Sequence, residues 1–189
     1  MMTNRADASK LKVVMIVGVL SLFLLVGCGG RAENLHREDV FQVTFISSLP
    51  TNDVEEMEAY LYELLAEDLP EGISIQVQMT LPSFDRLTVE LINKQADVVI
   101  VDDGLDQILI DPYYLAPLES IDGVNKQEFD RFVREDDRDG REHLYAVGYD
   151  EMSRLREDVP YELEYDLVAG VVATSPHQTL ALNLIKKWL

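Results

Sequence analysis

One cysteine, one tryptophan and three histidines are spread over 189 residues, and only 16 basic side chains stand against 35 acidic ones. A single thiol forbids an intramolecular disulfide and removes metal sites built from several cysteines. The formal charge of −19 repels nucleic-acid phosphates and anionic lipid headgroups, so no nucleic-acid partner is expected. Catalytic signatures are missing as well: there is no Gly-x-Ser-x-Gly elbow, no phosphate-binding glycine loop and no His-Glu-x-x-His. His36, His143 and His177 are scattered, and among so many acids carboxylate pairs arise by chance. The expectation is a protein that is not an enzyme and needs no cofactor. A tight constellation of His143 or His177 with a serine and an acid would reopen that question. The longest apolar run, the 13 residues from 13 to 25, is shorter than the roughly 20 that a membrane-crossing helix requires. With 47% apolar residues the chain is nonetheless globular and no acidic disordered tail.

That apolar run follows Arg5, Lys10 and Lys12 and ends in Leu25-Val26-Gly27-Cys28. Basic segment, apolar segment and small residues in that order form a secretory signal. A cysteine directly after Leu-Val-Gly resembles the lipobox of bacterial lipoproteins. The resemblance implies cleavage before Cys28, a diacylglycerol on its thiol, and a lipid-anchored protein on the extracytoplasmic face of the cell membrane. The competing reading is an ordinary signal peptide with a chance cysteine, or an uncleaved anchor. Residues 1–27 are thus assigned as signal peptide, 28–38 as lipidated N-terminus and tether, and 39–189 as a single α/β domain. Without its leader the chain holds 13 basic and 34 acidic residues, so its contact with the bilayer would come from the acyl chains alone.

Residues 40–46 are rich in strand formers and stop at Ser47-Ser48-Leu49-Pro50. Thr51-Asn52-Asp53 then offers helix-starting oxygens, with apolar residues at helical spacing to about residue 69. Ile73, Ile75, Val77 and Met79 alternate with polar residues, the pattern of a half-wet strand at a sheet edge. Pro82-Ser83 begins a second helix, and Val98-Val99-Ile100-Val101 reads as a central parallel strand covered on both faces. Beyond it, short helices are expected over 104–110 and 125–133, and a charged loop over 135–142. Strands are expected over 143–149 and 163–173. A last helix starts at Ser175, where Ser175 and Gln178 match a capping box and Leu180, Leu184 and Trp188 form the buried stripe. Strands joined by helices make an α/β fold, a mostly parallel sheet flanked by helices.

Four stretches resemble the type II periplasmic-binding-protein fold of solute-binding lipoproteins that serve ABC importers. They are the strand-loop-helix over 41–65, the run Leu91-Ile92-Asn93-Lys94-Gln95-Ala96-Asp97-Val98-Val99-Ile100-Val101, Asp139-Gly140 with Leu144-Tyr145-Ala146-Val147, and the segment 168–189. The last resembles the return segment of that fold. A complete member closes two lobes over a solute. Here only about 20 residues separate the hairpin from the return segment, fewer than the roughly 30 of one βαβ unit, so one lobe is expected.

In an open α/β sheet, ligands sit beyond the carboxyl ends of the strands. Those ends carry Ser47 and Ser48, Ser83, and Asp102 and Asp103, with helix starts at Asn52 and Ser83. These six are the candidate ligand-binding residues. The plainer reading makes Asn52 and Ser83 simple helix caps and Asp102 a loop residue. Glu135-Asp136-Asp137-Arg138-Asp139-Gly140 spaces its acids like a calcium loop, but Ala146 stands where the closing glutamate belongs, so a hairpin turn is preferred. The functional expectation is therefore a membrane-anchored solute-binding-like lobe, linked to an ABC importer through a membrane permease. An interaction module that docks another cell-surface protein is the alternative.

Overall fold

The computed structural model describes residues 37–159 and 164–189. Cys28, the leader and the tether up to residue 36 lie outside the described residues, as do residues 160–163. Strand β1 (Val40–Ile46) is almost wholly buried and pairs in parallel with β2 (Ser74–Thr80) on one side and β3 (Val98–Asp102) on the other. Helix α1 (Val54–Leu64) joins β1 to β2, and α2 (Phe84–Asn93) joins β2 to β3. The alternating β2 sequence gives alternating burial, and β2 is the outer strand of the sheet, as its pattern predicts. Two of its outward N–H groups are taken by side chains. Ile75 donates to the Tyr62 hydroxyl at 2.8 Å and Val77 donates to Glu58 Oε1 at 2.9 Å, both acceptors standing on α1.

The far side of the sheet departs from expectation. Strand β7 (Leu167–Val171) runs antiparallel to β3, and β6 (Val147–Tyr149) runs antiparallel to β7. The five-stranded order β2-β1-β3-β7-β6 is therefore mixed, and the mostly parallel sheet expected from sequence is confined to β2, β1 and β3. Helices flank it. After β3 comes a 3-10 turn (Asp103–Leu105) and the short α3 (Asp106–Leu109). The stretch 125–133 is not the expected helix but turns and one 3-10 turn (Asp130–Phe132). The charged stretch 135–142 is not a plain loop either, because its ends pair as a second sheet, β4 (Val133–Asp136) with β5 (Arg141–Leu144). Gly140 takes the positive φ of 66° that this hairpin's turn requires. The strand expected over 143–149 is split between the two sheets. In the connection between β6 and β7, the one described element is the short α4 (Arg154–Asp158).

The terminal helix α5 (Gln178–Trp188) begins later than the Ser175 cap predicts. Ser175 is buried and its hydroxyl donates to Asp97 Oδ1 at 2.5 Å, so no capping box forms. Asp97, fully buried, also accepts the Gln42 main-chain N–H at 2.7 Å, while its own N–H donates to Gln42 O at 2.8 Å and its carbonyl accepts from Val172 N at 2.9 Å. One residue thereby joins β1, β3 and the turn into α5. Leu180, Leu184 and Trp188 are all buried, and the indole lies edge-on to Phe45 and Tyr149 at 6.3 and 5.9 Å. Trp188 Nε1 donates to the Tyr60 hydroxyl at 3.1 Å, which donates onward to Asp158 at 2.9 Å. That chain locks α5, α1 and α4 together.

Replacing Asp97 strands a buried N–H and a buried hydroxyl at once. Asp97→Ala is expected to lower the unfolding free energy by about 3 kcal/mol, and Ser175→Ala by about 1 kcal/mol, in chemical denaturation.

Candidate functional site

The strands β1, β2, β3 and β6 all point their carboxyl ends toward one edge of the sheet, and β7 begins there. At the centre of that edge the sequence-predicted residues Ser48 and Asp102 come together. The Ser48 main-chain N–H lies 3.0 Å from both carboxylate oxygens of Asp102, and its hydroxyl donates to Oδ1 at 3.2 Å. Asp102 is 4% exposed. Burial pushes its carboxyl above the usual carboxylate range, the Ser48 bonds oppose this, and the nearby Glu164 charge adds to the rise. Ser47, beside it, is buried, and its hydroxyl has no hydrogen-bond partner among the described residues.

The other predicted residues part from this pair. Asp103 makes an ion pair with Arg131 at 2.8 Å and donates its main-chain N–H to Asp166 O at 2.9 Å. Ser83 is a helix cap, its hydroxyl accepting from the Arg86 N–H at 3.3 Å. Asn52 is exposed and donates to Asp53 at 2.6 Å; Asp53, not Asn52, immediately precedes α1. The plainer reading therefore holds for Ser83, and Asn52 is not even the cap. Sequence reasoning missed Arg131, Glu164, Tyr165 and Asp166 at this edge. No local motif marks them; Glu164, Tyr165 and Asp166 arrive because β7 runs backward into the sheet, and Arg131 comes from the 3-10 turn before β4.

Four cavities stand out among the described residues, and none is lined by any of the six candidates. A cleft of about 440 Å³ is lined by Tyr60, Glu63, Leu64, Arg154, Asp158 and Lys187. Its polar groups largely satisfy one another: Arg154 pairs with Asp158 at 3.2 Å and Lys187 with Asp68 at 3.1 Å. A broader one of about 460 Å³ contains Glu119, Ser120, Lys126 and His143. His143 is caged there, with Nδ1 3.1 Å from Glu119 and Nε2 2.9 Å from Asp139. Both ring nitrogens are taken by carboxylates, so His143 has no free nitrogen to take a proton from Ser120. The Asp139 bond, with the Glu119 bond behind it, holds the imidazole above its ordinary value despite slight burial. The His177 ring packs edge-on against Phe41 at 6.1 Å, and its main-chain N–H donates to Ser175 Oγ at 3.0 Å. Of the acids spaced like a calcium loop, Asp139 is held by His143, and the intervening Asp136 is engaged as well. Asp136 accepts from Arg138 and from the Tyr145 hydroxyl at 2.7 Å, and these bonds, Arg138 first, hold its carboxyl far below the usual range.

Two measurements check these assignments. An ionised buried Asp102 costs stability at neutral pH, and its raised value places that cost above about pH 4. Asp102→Asn keeps an acceptor for the Ser48 N–H and is expected to match or exceed wild-type stability at pH 7, the advantage vanishing near pH 3. Asp102→Ala leaves that N–H without an acceptor and is expected to cost about 1–3 kcal/mol. His143 has the opposite sign. Its stabilisation is complete below its ordinary value of 6.5 and is lost as pH rises through the elevated folded value. The unfolding midpoint should therefore fall as pH climbs above 6.5, and His143→Gln should flatten that slope.

Comparison of the chain with protein-family models, with curated proteins and with solved structures finds no match to any of them.

Proposed function

We propose that this chain is a non-enzymatic recognition lipoprotein. In this reading it is one lobe of periplasmic-binding-protein type, held on the extracytoplasmic face of a bacterial membrane by an acylated Cys28. Its sheet edge takes up a small polar solute weakly and passes it to a membrane permease of an ABC importer. The observation that carries the reading is the central edge cluster: the Ser48–Asp102 pair next to a buried Ser47 hydroxyl that lacks a partner. A buried hydroxyl without a partner carries a penalty that a ligand hydroxyl or amine closing over the edge would remove. The order of strand β7, Ser175-Pro176 and helix α5 is also that of the return segment that the resemblance implies, although the antiparallel direction of β7 was not expected. In this reading a single lobe covers a solute on one side only, so affinity is low.

The alternative, an interaction module, draws on a different observation at the same edge. Leu81, Met152 and Tyr165 stand exposed on either side of the polar centre, more apolar surface than a solute site needs.

Titration calorimetry of the full chain in detergent, against sugars, amino acids and short peptides, separates the two. Solute capture is expected to give saturable heat with one class, weakened by Ser47→Ala. No heat across the panel at millimolar solute would sink capture and leave the interaction module.

A further inference from the structure

Arg154 and Lys187 are two of only 16 basic residues, and both line the cleft of about 440 Å³ formed by α1, α4 and α5. Glu63 and Asp158 line it too, so the cleft carries two charges of each sign on a chain of net charge −19. A relay of hydrogen bonds fixes one side of it. Trp188 Nε1 donates to the Tyr60 hydroxyl at 3.1 Å, that hydroxyl donates to Asp158 Oδ2 at 2.9 Å, and Arg154 Nε donates to the same oxygen at 3.2 Å. Burial, and then the Asp158 bond, hold the Tyr60 phenol above its usual range, so the hydroxyl keeps the proton it donates. Lys187 is anchored by Asp68 at 3.1 Å, and Asp68 also accepts from Asn183 at 3.2 Å.

These bonds leave a remainder of both signs. Arg154 uses only Nε, so both terminal nitrogens of its guanidinium lack a hydrogen-bond partner among the described residues. Asp158 uses only Oδ2, and the Glu63 carboxylate has no ion pair or hydrogen bond among those residues. A guanidinium holds a carboxylate through two parallel N–H bonds, and an open carboxylate takes an ammonium. A simple anion entering the cleft would meet Glu63 and the negative field of the whole chain, and a simple cation would meet Arg154 and Lys187. A molecule that carries both charges answers each. The volume suits an amino acid or a very short peptide, and Leu64 supplies an apolar wall for its side chain.

We propose that the cleft between α1, α4 and α5 binds a small zwitterion of amino-acid type, its carboxylate on the terminal nitrogens of Arg154 and its ammonium on Glu63. Both groups are open to water, so each contact is worth little and the affinity is millimolar. No residue of the cleft belongs to the sheet edge, and neither site needs the other.

Trp188, the only tryptophan of the chain, ends the relay that begins at the cleft, so its emission reads occupancy. The full chain in detergent is titrated with L-leucine and with the dipeptide Leu-Leu, which set the two charges at different separations. N-acetylleucine, without the ammonium, and leucinamide, without the carboxylate, are the controls. A saturable change in Trp188 emission is expected with at least one of the two zwitterions, severalfold tighter than with either control. Arg154→Gln and Glu63→Gln, each checked by circular dichroism to be folded, should weaken it severalfold, whereas Ser47→Ala at the sheet edge should leave it unchanged. No saturable change with either zwitterion at tens of millimolar, a control that binds as tightly, or a response untouched by Arg154→Gln or by Glu63→Gln would overturn the proposal. A leucine response lost in Ser47→Ala and kept in Arg154→Gln would also overturn it, and would place the amino acid at the sheet edge instead.

Discussion

Asp97 is the constraint on which the rest of the structure depends. Its carboxylate accepts from the Gln42 N–H in β1 and the Ser175 hydroxyl before α5, and its main chain bonds to Gln42 and Val172. Between β1 and β3 the regular pairing starts only at Val43 opposite Val98, so Asp97 supplies the hydrogen bonds at the end of the ladder where water would otherwise enter. The strand that follows, buried along its whole length, can then accept a parallel neighbour on one side and an antiparallel one on the other. Everything at the opposite edge, including Ser48 and Asp102, is positioned by where β1 and β3 are held relative to each other. A buried carboxylate is tolerated because each of its interactions is made by a fixed group.

The polar edge and the helical faces follow different chemistry. At the edge, Asp102 and Ser48 satisfy each other, Asp103 is neutralised by Arg131, and the Ser47 hydroxyl is left over. Around the β4–β5 hairpin, the acids are absorbed by Arg138, Tyr145, His143 and Lys126. Much of the excess negative charge therefore lies on α1 and the loops, and the outer face of α2 is left sparse in charge. A protein this acidic folds because its buried acids are few and each has a partner, while the others stay hydrated.

How far the sequence could be read depended on whether the relevant force was local. Strand β1 and the alternation of β2 came through because burial on one or both faces writes itself into consecutive residues. The Ser83 cap was legible for the same reason. The direction of β7 was not, since a strand buried on both faces reads the same whether it runs parallel or antiparallel. Ser175 looked like a capping residue because its best local partner is three residues away, whereas its actual partner lies 78 positions back. That Ser48 and Asp102 share one edge follows from the rule that strand ends converge, but their bond across 54 positions left no mark in the sequence. Asn52 failed because the helix begins two residues past it, with Asp53 at the cap position. Arg131 and the residues around 165 escaped notice because charge on a loop carries no sign of which strand end it will meet.

The outer edge of β2 carries a consequence for how this protein can meet others. Tyr62 and Glu58 occupy the outward N–H groups of Ile75 and Val77, two that an incoming extended segment would need. On that side a neighbouring strand would have to displace α1 side chains before it could pair, so the helix that joins β1 to β2 also guards the strand it delivers.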